Sequence, residues 1–86
     1  MLSDTDRAVL DFEGSWWLDG GPKDRMIREV VGISATRYYQ VLRRLLDDPA
    51  AMDHDPLTIR RLRRIREVAH ERSVNRRLGD GSPSVR

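Results

Sequence analysis

Apolar residues recur at helical spacing along most of the chain. Val9, Phe12 and Trp16 fall at i, i+3 and i+7, with Ala8 and Trp17 widening the stripe. This predicts a first helix from about Asp4 to Trp17, with Ser3 as N-cap and Asp4 and Asp6 in the first turn, where carboxylates suit the helix dipole. The aromatic stripe reads as core, with a binding surface built on the Trp pair as the alternative. Leu18 to Pro22, LDGGP, breaks the pattern with two glycines and a proline. A second, short helix follows over about Lys23 to Val31, with Met26, Ile27, Val30 and Val31 apolar and Pro22 as its first residue or just before it.

Gly32 is the next break. A glycine after Val31 reaches positive φ without steric cost, as a helix C-terminus wants. Ser34 then suits the N-cap of a third helix, about Ala35 to Asp47. Two helices joined by a short glycine-containing turn form a helix-turn-helix unit, whose second helix, in DNA-binding versions, lies in the major groove. The spacing places Ile27, Val31, Ile33, Tyr38, Val41, Leu42 and Leu45 inward. It places Thr36, Arg37, Tyr39, Gln40, Arg43 and Arg44 outward, where every side chain can hydrogen-bond and three are cationic. Arg28 departs from the usual pattern, since the position four before the glycine is normally small.

Asp48-Pro49 ends the third helix, and Pro49 to Asp55, PAAMDHD, reads as a compact loop without a β-hairpin wing. Asp55-Pro56 is a clean helix start. The fourth helix runs to about Arg77, with a narrow seam of Ile59, Leu62, Ile65 and Val68/Ala69. The seam fades after Ala69, so the last two turns are expected to project into solvent. Residues 78–86 read as a flexible tail and residues 1–77 as one domain. The expected fold is therefore all-α: four helices, a helix-turn-helix at the second and third, no wing, and an extended basic fourth helix.

Charge sharpens this picture. The 86 residues carry a net charge of +2, but residues 1–55 hold 7 Lys/Arg against 11 Asp/Glu and residues 56–86 hold 9 against 3. Such separation points to an electrostatic partner more than a uniform excess does. Five arginines stand between residues 60 and 66. Their direct reading is phosphate binding; the plainer one is pairing with Asp47, Asp48, Asp53 and Asp55. The expected base contacts are Thr36, Tyr39, Gln40 and Arg43, since Arg is bidentate to guanine and Gln to adenine. The expected phosphate contacts are Lys23, Ser34, Arg37, Arg44, Arg60, Arg61, Arg63 and Arg64.

Other chemistries find little support. With no cysteine, thiolate catalysis and thiolate metal sites are excluded. His54 and His70 have no companions at ligand spacing, GGPKD does not fit a phosphate loop, and no serine has an evident base. No enzyme activity, cofactor or metal is expected. No apolar run approaches a membrane span and no signal-peptide pattern opens the chain, so a cytoplasmic, nucleoid-associated protein is expected.

FEGSWW, GGPKDRMIREVVGISATRYYQVL and DPLTIRRLRRIR resemble a family of short actinobacterial proteins known only as a domain of unknown function. Its pattern maps onto Trp16-Trp17, Gly21-Pro22-Lys23, Ile27-Arg28-Glu29, Gly32 to Gln40, Pro49-Ala50 and Asp55-Pro56 with Arg60 to Arg66, covering roughly Ser3 to Arg77. Arg28 belongs to that pattern. The resemblance implies a helix-turn-helix fold, a bacterial or phage genome and DNA binding, and no established activity. The resulting expectation is a double-stranded DNA-binding protein, a transcriptional regulator or nucleoid-type factor. The alternative is a module docking on a transcription protein such as RNA polymerase. Homodimerisation is left open.

Overall fold

The computed structural model describes residues 1–80, with side chains through Arg76. Five helices follow in order: α1 (Asp4–Glu13), α2 (Lys23–Met26, continued by a π-helical turn over Ile27–Val31), α3 (Ala35–Leu45), α4 (Pro49–His54) and α5 (Pro56–Asp80). No strand occurs among the described residues.

α1 begins on a full capping box. The Ser3 hydroxyl accepts from the Asp6 N–H at 3.0 Å, and the Asp6 carboxylate accepts from the Ser3 N–H at 3.1 Å. The helix ends at Glu13, four residues before the expected Trp17. Gly14 caps it, the Ser15 hydroxyl turns back to the Asp11 carbonyl at 3.0 Å, and Trp16–Leu18 form a separate 3₁₀ turn. That break re-aims the Trp pair. Trp16 packs partly buried against the core, whereas Trp17 is 46% exposed.

The π turn accounts for two departures from expectation in α2. The Gly32 N–H bonds back five residues to the Ile27 carbonyl at 3.1 Å. The wider turn swings Ile27 into the core, fully buried, and leaves Arg28 and Val30 exposed. The crowded position before the glycine is thus filled by Ile27 and Arg28 meets no close packing, while Val30 is not part of the apolar set. Gly32 has φ +84°, and the Ser34 hydroxyl accepts from the Arg37 N–H at 3.1 Å to start α3.

The core gathers Val9, Leu10 and Phe12 of α1, Ile27, Tyr38, Val41, Leu42 and Leu45, then Leu46, Ala51 and Ile59, with Leu2 beneath α1. Val31, Ile33, Met26 and Leu62 pack partly buried around it. Every inward position expected on α3 is buried.

Pro49 to Asp55 is not a loop, so five helices stand among the described residues where four were expected. The Asp48 carboxylate accepts from the Ala50 N–H at 2.9 Å with Pro49 at the first turn, which makes residues 49–54 a helix. Asp55 does the same for α5, accepting from the Thr58 N–H at 3.2 Å. The two Asp-Pro pairs act alike, and the first one both stops α3 and starts α4.

α5 docks over a shorter length than its apolar seam implies. Ile59 is fully buried and Leu62 packs on the core, but Ile65 is 57% exposed and Val68 39%. The helix leaves the body near Arg66, and the molecule measures 50 × 29 × 21 Å. Its backbone continues through Asp80, past the expected end at Arg77; of the expected tail 78–86, residues 81–86 lie outside the described residues.

Candidate nucleic-acid interface

α3 presents two faces of opposite character. Tyr38, Val41, Leu42 and Leu45 are buried, and Thr36, Arg37, Tyr39, Gln40, Arg43 and Arg44 are exposed. Of these six, Arg44 is engaged: its guanidinium donates to Asp6 Oδ1 at 2.6 Å. Burial alone raises the Asp6 carboxyl, yet the Ser3 N–H and the Arg44 charge outweigh it and hold the group below its ordinary value. Tyr39 is anchored along one edge, its ring 5.1 Å from that of Tyr38 in a T-shaped pair. Thr36, Arg37, Gln40 and Arg43 make no side-chain hydrogen bond or ion pair among the described residues.

Behind this face lies a buried polar hub. The Glu13 carboxylate, 5% exposed, accepts from the Tyr38 hydroxyl at 2.5 Å and from Lys23 Nζ at 2.9 Å, with the Arg61 guanidinium 3.5 Å away. Burial, then the Glu13 hydrogen bond and charge, push the Tyr38 phenol far above its ordinary value. Lys23 Nζ sits 5.0 Å from the Trp16 ring centroid, 5.4 Å from Tyr39 and 5.7 Å from Tyr38. Lys23 was expected to face a phosphate. Its ammonium is turned inward and satisfied, so this placement fits a lock between α1, α2 and α3 instead.

The α5 arginines divide in the same way. Arg61 donates to the Glu13 carbonyl at 3.1 Å and stacks 4.7 Å over Trp17. Arg63 Nε donates to the Leu46 carbonyl at 2.7 Å, completing the C-terminus of α3. Both were expected on phosphates, and in the structure both make contacts that dock α5 on the body. Arg60 and Arg64 are exposed, but two residues of helix set Arg64 roughly 160°, and six set Arg60 roughly 120°, around α5 from Arg66, the residue that faces α3. The structure therefore does not bring Arg60 and Arg64 to the outer face of α3.

It brings Arg66 instead. Arg66 makes a bidentate pair with Asp47 at 3.0 and 3.2 Å and lines a shallow groove with Tyr39, Leu42, Arg43 and Leu46. The Arg66 hydrogen bond holds the Asp47 carboxyl below its ordinary value. The sequence carried half of this signal, since pairing of Asp47 with an arginine of the last helix was expected. Which arginine, and its approach to Arg43, depend on the register of α5. Ser34 is at the N-terminus of α3, exposed, with its oxygen used as the cap.

The family model for a protein of unknown function, DUF3263, matches residues 1–78. No curated protein and no solved structure matches the chain.

Proposed function

We propose that this chain, which belongs to the DUF3263 family, binds double-stranded DNA, with α2, the Gly32 turn and α3 acting as a helix-turn-helix and α3 entering the major groove. The observation that carries this reading is the outer face of α3. Thr36, Arg37, Gln40 and Arg43 are exposed on a helix whose other face is fully packed, and their polar groups are not taken up within the described fold. A rigid helix with a row of uncommitted donors is what base-edge readout needs.

Arg43 and Gln40 take base edges, with Thr36 and Tyr39 beside them. Arg37 and the Ser34 end of α3 meet the phosphates, and Arg66 reaches the backbone next to Arg43. Lys23, Arg44, Arg61 and Arg63 serve the fold and drop out of the interface. The role in the cell is that of a transcriptional regulator or nucleoid-type factor, acting in the cytoplasm on the nucleoid.

Duplex DNA binding across a salt series tests this. With Arg37 and Arg66 on phosphates, log K should fall against log salt with a slope of about −2. No binding at low salt would overturn the proposal.

A second reading, docking on a transcription protein such as RNA polymerase, draws on exposed apolar side chains away from α3: Trp17, Leu18 at 77% and Leu57 at 76%. A stoichiometric protein partner retained after nuclease treatment and released by Leu57→Asp would favour it. Release by Arg43→Ala together with loss on nuclease treatment favours DNA.

A further inference from the structure

We propose that the projecting stem of α5 pairs antiparallel with the same stem of a second copy of this chain. The stem carries two faces. Ile59, Leu62, Arg63 and Arg66 turn to the body, and Arg61, Ile65, Val68 and Arg72 form a separate stripe at spacings of four, three and four. Within that stripe Ile65 is 57% exposed and Val68 39%, with exposed Ala69 beside them. Arg64, Ile65, Val68, Ala69 and Arg72 together line a shallow groove along the helix. No part of this chain's described fold covers it, because α5 has already left the body.

The flanking charges select the occupant. Arg64 and Glu71 lie seven residues apart, on the same edge of the stripe, and neither has an ion-pair partner among the described residues. An antiparallel pairing about a twofold axis between residues 65 and 68 sets Ile65 against Val68 of the second copy. The same axis sets Arg64 against Glu71 of the second copy, twice by symmetry. A parallel pairing leaves Arg64 unmatched, since it sets that residue beside Ala69 of the second copy. At the ends of the seam Arg61 meets Arg72 of the second copy, a like-charge contact that weakens the pairing, although the Arg61 guanidinium is drawn aside toward Glu13 and stacked on Trp17. Its stem, not its charge, closes the stripe.

The seam is short and the dimer correspondingly weak, so association is read at high concentration. Sedimentation equilibrium of the full chain, without DNA, up to on the order of 500 µM should show the mass rising from 10.0 kDa toward twice that value. Val68→Glu places two carboxylates near the axis and should abolish association. Arg64→Glu and Glu71→Arg should each weaken it by about tenfold, and the double swap should recover it to within about threefold. All three positions are exposed and off the core, and far-UV circular dichroism verifies that each variant is folded. A wild-type mass fixed at 10.0 kDa, indifference to Val68→Glu, or a double swap no better than the single variants would overturn the proposal. Because no DNA is present, that failure leaves the DNA reading standing, and loss of DNA binding leaves the dimer standing.

Discussion

The Tyr38 hydroxyl donates to the Glu13 carboxylate at 2.5 Å, joining α3 to α1 across 25 residues of chain. Glu13 also receives Lys23, so one buried carboxylate ties α1 to both helices of the turn. Truncating Tyr38 to Phe leaves the ring packed but takes one donor from a buried charge, at a cost of about 1–2 kcal/mol. Glu13→Ala removes the acceptor and strands both a buried phenol and Lys23, at a cost of about 3–5 kcal/mol. Urea denaturation followed by circular dichroism ranks the two. Equal losses would mean that the hub is not centred on Glu13.

The same contact sets an alkaline limit. The Tyr38 phenol is raised from 10.0 in the folded state, so its neutral form is favoured by folding. Stability from this group is complete below 10.0 and falls as pH rises beyond it, because the unfolded phenol ionises first. Asp6 acts at the other end with opposite sign. Its lowered carboxyl contributes stability above 3.8 that is lost as pH falls through the folded value. Melting temperature should therefore drop on both flanks. Tyr38→Phe should flatten the alkaline arm and Asp6→Asn the acid arm, each leaving the other unchanged.

Lys23 and Arg37 separate a fold-building cation from one assigned to the proposed interface. Lys23→Ala deprives Glu13 of its closest cation, and the loss is about 3 kcal/mol. Arg37→Ala touches nothing internal beyond its backbone N–H, so stability should stay within about 0.5 kcal/mol. In DNA binding the order reverses. Arg37→Ala should reduce the salt slope by about 0.9, whereas folded Lys23→Ala protein should keep it. A slope lowered by Lys23→Ala in place of Arg37→Ala would return the lysine to the phosphates.

The helical periodicity of α1 and α3 was legible in the sequence because one face of each is buried and the other is not. The inward set of Tyr38, Val41, Leu42 and Leu45 follows from spacing alone, and each is buried. The Asp48-Pro49 start of α4 is equally written in the chain, where it reads only as the stop of α3. A dipeptide that ends one helix and begins another has no periodicity long enough to declare the second. The inward turn of Lys23 was not legible, since nothing local places Glu13 and three aromatic rings around residue 23. Arg61 and Arg63 share that difficulty: a dense arginine run has the same appearance whether its partners are phosphates or backbone carbonyls of its own fold.

Asp47 offers a test of how the proposed interface is tuned. Its carboxylate holds Arg66 in a bidentate pair beside Arg43, in the geometry a phosphate would occupy. DNA must displace this carboxylate or bind past it, and either way a negative charge stands at the edge of the proposed phosphate path. Asp47→Asn removes that charge and loosens Arg66 without touching the core, as both side chains are well exposed at 69% and 44%. Duplex affinity should rise by about three- to tenfold near 50 mM salt, and the gain should shrink as salt screens it. Arg66→Ala should cancel most of that gain when combined with Asp47→Asn, since the liberated guanidinium is then absent. An affinity unchanged by Asp47→Asn at low salt would place the DNA away from this corner of the molecule, on the Thr36 end of α3.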